Sequence, residues 1–204
     1  MYNNRINKIK YSFIILLLIF FGNSCSRKDA KNKEIEALQN NKNITDEESL
    51  YGIAKIIFGD SLKSFKTEKN ENGKQNVTID YGGNRAYTFY SEGNYTERIQ
   101  LDTARYILLF SQSAKIRNLE ELRISVVKPY YVKEPDAKKE VTEEFEVFRA
   151  KVSLSEIEKI PNWENAKLLR DNKNINNSNV TEFLNQVRLK WKIELNELNR
   201  IELK

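Results

Sequence analysis

The chain has 204 residues, 40% apolar and 31% charged, which is enough for one globular domain and too polar for a multi-span membrane protein. It has no histidine and a single cysteine, excluding histidine triads and general bases, His-ligated metals, disulfide frameworks and Cys-x-x-Cys redox pairs. The net charge of +5 falls to +2 once residues 1–24 are set aside, because Arg5, Lys8 and Lys10 stand there without an acid and leave 31 basic against 29 acidic residues. What remains is interleaved, with Glu140, Glu143, Glu144 and Glu146 among Lys138, Lys139, Arg149 and Lys151, so no nucleic-acid partner is expected.

The first element is an address. Three basic residues precede an apolar run from Tyr11 to Phe21, followed by Gly22, Asn23, Ser24 and Cys25, the layout of a secretory signal. Eleven residues of helix extend only about 16 Å, against about 30 Å of bilayer hydrocarbon. Cleavage is therefore favoured over an uncleaved signal-anchor. Gly22-Asn23-Ser24-Cys25 resembles the lipobox of bacterial lipoproteins, with Gly22 where Leu is commonest and Asn23 where a small residue is usual. The resemblance implies a signal peptide over 1–24 and diacylation of Cys25 on sulfur, making it the first mature residue and a membrane anchor. Ser26, in place of the Asp that resembles an inner-membrane retention signal, favours the outer membrane within the cell envelope. An ordinary cleavage site beside an unmodified thiol is the plainer alternative.

Residues 25–44 are rich in Lys, Asn and Glu with few apolar positions, and read as a polar tether letting a domain over 45–204 stand off the membrane. Thr45 followed by Glu48 is a capping-box pattern, and Leu50, Ile53, Ala54 and Ile57 fall on one face of a helix over 46–58 closed by Gly59. The pattern then shortens to two. Leu62 to Thr67, then Val77, Ile79 and Tyr81, then Ala86 to Tyr90 and Tyr95 to Leu101 read as an antiparallel meander. Gly59, Gly73, Gly82, Gly83 and Gly93 stand at its boundaries, as positions needing positive φ would.

Asp102 reads as the N-cap of a helix to about Arg117. Strands follow at 124–130 and 141–152, separated by a turn at Lys133-Glu134-Pro135-Asp136, with a bulge expected near Phe148 and Arg149 where the alternation slips. A short helix over 153–160 stops at Pro161, and 170–178 is an Asn-rich loop. Val180, Phe183, Leu184, Val187, Trp191, Leu195, Leu198 and Ile201 step by three and four, predicting a long C-terminal helix needed for folding. The fold expected is a single α+β domain, a mainly antiparallel sheet of five or six strands packed by helices. The stretch from Asp102 to Trp163, with Ile124-Ser125-Val126-Val127, Leu154-Ser155-Glu156-Ile157 and Asn162-Trp163, resembles the C-terminal half of small bacterial envelope lipoproteins of uncharacterised function. It implies a packing role for Trp163 and supplies no catalytic residue.

Without histidine, chemistry would rest on carboxylates. Asp80, Asp102, Glu120, Glu121, Glu143, Glu144 and Glu146 are the candidates, but none has the oxygen-ligand spacing of a calcium loop, and N-caps and solvated strand faces explain them. No catalytic set, cofactor or metal is expected. Tyr81, Tyr87, Tyr90 and Tyr95 could line a binding face for an envelope or surface protein partner, against the simpler reading of cross-strand packing. Two functions stand: a membrane-anchored lipoprotein with a binding or scaffolding role, or a carboxylate-dependent envelope hydrolase.

Overall fold

The computed structural model describes residues 30–83, 92–132, 141–170 and 178–198. Cys25, Tyr87, Tyr90, the turn expected at 133–136 and Ile201 lie outside them. One five-stranded sheet runs in spatial order β1 (Leu62–Lys69), β2 (Gln75–Tyr81), β3 (Leu119–Val132), β4 (Val141–Ser153), β5 (Lys192–Asn196). Three of its four pairings are antiparallel, while β2 and β3 are parallel. β2 shows why the pattern of two was legible: Gln75, Val77, Ile79 and Tyr81 are buried and the residues between them are not. The β1–β2 turn is fixed by Asn70, whose Oδ1 accepts from the backbone N–H groups of Asn72 and Lys74 at 3.0 Å, and by Gly73 at φ 75°.

Helices cover this sheet. α1 occupies 30–40, α2 Asp46–Phe58, α3 Glu92–Ala114, α4 Leu154–Ile157 and α5 Ser178–Arg188, with a 3-10 segment at Trp163–Arg170. α2 has the capping box its sequence announced: the Glu48 backbone N–H donates to Thr45 Oγ1, and the Thr45 backbone N–H donates to Glu48 Oε2 at 2.8 Å. α3 is the central packing element. Ile99, Thr103, Ile107, Phe110 and Ala114 recur every three or four residues and are buried, and α3 packs on β3, α2, α5 and the 3-10 segment and meets Tyr81 of β2 through Thr103. Ser153 caps α4, and Trp163 is buried as a packing residue.

The expected tether is instead folded over residues 30–44. Ile35 is buried, Leu38 packs on the core, and the Leu38 carbonyl accepts from Ser49 Oγ at 2.9 Å. Arg117, at the end of α3, donates to the carbonyls of Leu38 and Asn41, the latter at 2.7 Å, and Gln39 Nε2 donates to Ser113 O at 2.7 Å. Sparse apolar positions hid this, because one isoleucine and one leucine suffice when the remaining contacts are hydrogen bonds. Gly52 was the overlooked signal: a Cβ there would lie 2.8 Å from Leu38, so the glycine admits α1 against α2.

Other expectations need correction. Tyr95 to Leu101 is helical, inside α3, and Asp102 lies in that helix's interior rather than capping it. The local alternation of Ile99 and Leu101 was a fragment of a longer stripe stepping by four from Tyr95 through Ile99, Thr103 and Ile107. The C-terminal helix ends at Arg188, and residues 192–196 form β5, because Trp191, Ile193 and Leu195 also fit a period of two and the free edge of β4 accepts them. The bulge expected near Phe148 in β4 is present, at the adjacent Val147, which is skipped between the pairs Val126↔Phe148 and Val127↔Glu146. Gly82 has no positive φ; it is needed because a Cβ there would come within 1.8 Å of the Val127 carbonyl oxygen.

Docking of α1 is expected to contribute measurably to stability. Ile35→Ala should cost about 2 to 5 kcal/mol, and a chain begun at Thr45 should melt about 5 to 15 °C below one begun at Ser26. Thermal unfolding followed by circular dichroism checks both, and equal melting temperatures would mean that α1 is peripheral.

Candidate functional site

Because β2 and β3 are parallel and joined through α3, their carboxyl ends point to one pole of the sheet, the place where crossover sheets bind ligands. β2 stops at Tyr81, opposite Leu62 at the start of β1, while β3 continues to Val132. The Gly82 backbone N–H donates to Ser61 O at 2.8 Å, holding the chain as it leaves the sheet. Past the end of β2, Lys63 on β1 reaches Glu144 on β4, with Nζ 2.6 Å from Oε1. Tyr81 closes the floor: its hydroxyl lies 2.9 Å from Thr103 Oγ1, and its ring is 4.8 Å from Tyr106 and 5.4 Å from Phe58.

Two ionisable groups face each other across the α3–β3 interface at this pole. Leu122, Ile124, Val126 and Lys128 alternate along the face of β3 that α3 covers, so the fourth position of an apolar stripe is an ammonium group, only 5% exposed. Burial lowers the Lys128 pKa to about 8, the Asp102 carboxylate opposes that shift, and Lys63 adds to it. Burial also raises Asp102 above the usual carboxylate range, against the attraction of Arg105, Arg98 and Lys128. Each is a desolvated charge that the other partly compensates. Among the described residues, Arg98 and Arg105 also attract Asp102, while Lys63 pairs with Glu144.

The other sequence candidates are not gathered here. Glu120 pairs with Lys74 at 2.5 Å, Glu121 with Lys151 at 2.7 Å and Glu146 with Arg149, while Asp80 accepts from Ser64 Oγ. Glu143 is exposed on β4. Tyr81 and Tyr95 are core residues, 7% and 9% exposed, and do not form an open face. A tyrosine on a buried strand position and another on the packed side of a helix look alike in sequence. Lys128 was overlooked for the converse reason, since a lysine after Val127 reads as a solvated strand end. Its one signal was its phase with Leu122, Ile124 and Val126.

A second concavity, about 650 Å³, lies between the first turn of α2 and the edge strand β1, lined by Glu47, Tyr51, Lys63 and Phe65 among others. The Tyr51 and Phe65 rings in its lining are tilted at 49° to each other with centroids 5.4 Å apart. The bonds from the Thr45 backbone N–H and hydroxyl hold the Glu48 carboxyl below its usual range, so that acid serves the helix cap. Among the described residues no group of three or more Cys, Asp or Glu side chains is arranged to hold a metal. No protein-family model, curated protein or solved structure matches the chain.

Burial of Lys128 predicts a pH-dependent stability. Its folded pKa of about 8 lies below the ordinary 10.5, so between these values the unfolded chain binds more protons and stability rises with pH. Below pH 8 the whole penalty for burying the ammonium is present. The effect of Lys128→Met on stability, relative to the parent, should therefore be more favourable at pH 7 than at pH 10 by about 2 to 3 kcal/mol. Urea unfolding at the two pH values measures the difference, and a pH-independent effect would show that the amine is fully solvated in the fold.

Proposed function

We propose that the protein is a bacterial envelope lipoprotein, held to a membrane by acyl chains on Cys25, whose α+β domain has a binding or scaffolding role. The observation that carries the reading is the position of the only cysteine, directly after a basic segment and an eleven-residue apolar run. Two or more acyl chains hold a protein that one chain would bind only reversibly. No helix among the described residues is long and apolar enough to cross a membrane. The resemblance of Asp102 to Trp163 to small envelope lipoproteins points the same way, and Ser26 favours the outer membrane.

A binding role is preferred over a carboxylate-dependent hydrolase because of how the acids are distributed. Paired acid and base catalysis needs two carboxylates about 5 to 10 Å apart around a substrate. Glu120, Glu121, Glu144 and Glu146 are each drawn to a different lysine or arginine, and Asp102 faces Lys128. The buried Lys128 at the carboxyl end of β3 supports a polar or anionic group on an envelope or surface partner. Palmitate labelling in the bacterial host tests the anchor: the parent should incorporate label and Cys25→Ser should lose it. Label retained by Cys25→Ser, or absent from the parent, would overturn the reading.

A further inference from the structure

From the edge of the sheet we infer that the occupant of β1 is a second copy of this chain, whose own β1 pairs with it antiparallel about a two-fold axis at Thr67. The inference goes beyond the role proposed above and does not depend on Cys25. β1 stands at one end of the strand order, with β2 on one side and no strand of the described residues on the other. In the β1–β2 hairpin the Asn70 backbone N–H donates to the Lys74 carbonyl at 2.9 Å, and bonds of this kind recur at every second residue of an antiparallel ladder. Glu68 and Lys66 therefore direct their N–H and C=O groups to β2, and Phe65, Thr67 and Lys69 direct theirs outward. A second β1 satisfies those outward groups only with its own, so the axis must fall on a residue and not between two.

Charge then selects the residue. An axis at Lys66 sets two ammonium groups opposite each other, an axis at Glu68 sets two carboxylates so, and an axis at Phe65 runs the pairing into the irregularity between Leu62 and Ser64. An axis at Thr67 places Lys66 opposite Glu68 of the second copy and, by symmetry, Glu68 opposite its Lys66. Both side chains are exposed, on the face away from α2, where Glu68 also attracts Arg123. Lysines on an edge strand ordinarily guard it against a further strand. Here the one acid among Lys63, Lys66 and Lys69 leaves a single register open. That register also fills the concavity between α2 and β1. Lys69 of the second copy stands opposite Phe65, on the face where Phe65 meets the Tyr51 ring, which is 45% exposed. Its stem lies along the two rings with the ammonium group toward Glu47. The other charges around the concavity are already engaged: Glu48 in the Thr45 cap, Lys63 with Glu144, and Lys55 over the Tyr51 ring, 5.3 Å from its centroid. Glu47 has no ion pair among the described residues, so the cation it lacks comes from the partner.

The test is the mass of the full chain in a density-matched non-ionic detergent, measured by sedimentation equilibrium. The parent should be a dimer, and its dissociation constant should rise about tenfold in Lys66→Glu and in Glu68→Lys, since each swap turns two symmetry-related attractions into repulsions. The double variant Lys66→Glu/Glu68→Lys should return to within about threefold of the parent. Both positions are exposed, and circular dichroism should show all three variants folded. A parent that stays monomeric up to about 100 μM would overturn the proposal. So would a dimer indifferent to the single swaps, which would place the contact elsewhere on the chain, residues 1–24 included. Single swaps that weaken the dimer without rescue by the double variant would overturn the Thr67 register. Lys69→Gln should weaken the dimer as well, and an unchanged constant would overturn the seat given to that lysine between Tyr51, Phe65 and Glu47.

Discussion

The burial of α3 against the sheet at β3 and the end of β2 governs the architecture, because it removes from water the apolar stripe of that helix and the strand residues Leu122, Ile124 and Val126 at once. Ile107, Leu108 and Phe110 on the helix and Ile79, Leu122 and Ile124 on the strands are all fully buried. Side chains of this size contribute about 1.5 to 3 kcal/mol each on leaving water, comparable in sum to a whole domain's net stability. Other elements are positioned from α3. Ser113 and Arg117 at its end hold α1, the 3-10 segment receives Arg105 Nε at Leu169 O over 3.0 Å, and Gln100 accepts from Arg188 of α5.

Electrostatics divides the sheet into two regimes. On the face away from α3, ion pairs run between strands: Arg123 holds Glu194 through two hydrogen bonds of 2.8 and 3.2 Å across β4, and Lys151 meets Glu121. That bond raises the Arg123 pKa and lowers that of Glu194. Such exposed pairs add little stability individually, but they align β5 on the edge of β4 and keep the acids apart. On the covered face a single ammonium, Lys128, sits where the pattern of β3 calls for an apolar side chain. A buried charge of that kind lowers stability, which is why a site at the carboxyl ends of β2 and β3 merits a binding role more than the solvated ladder does.

The docking of α1 brings into the fold a segment that composition gave to a flexible tether, through Ile35, Leu38 and the hydrogen bond from Gln39 to Ser113. Local sequence is nearly silent on the difference. A helix carrying Ile35 and Leu38 among charges is indistinguishable from a solvated linker until Gly52, Ser49 and Arg117 provide its partners.

The sequence by itself determined the α+β class, the α2 helix with its Thr45–Glu48 cap, the pattern of β2, the strands β3 and β4 and the short helix before Pro161. In each, the signal lies within a few residues: a side chain satisfying its own backbone, or an alternation long enough to define a face. Where two periods coexisted in one stretch, only the tertiary structure decided. Ile99 and Leu101 joined a helix because the stripe from Tyr95 to Ala114 had a sheet to cover, and Ile193 and Leu195 joined a strand because β4 had an unpaired edge. The candidate site was legible in its parts, since Asp102 was already in view as a carboxylate and Lys128 was in phase with Leu122, Ile124 and Val126. Their mutual influence was not, because it depends on a parallel crossover that brings an interior turn of α3 over β3, an electrostatic coupling between residues 26 positions apart that no local pattern encodes.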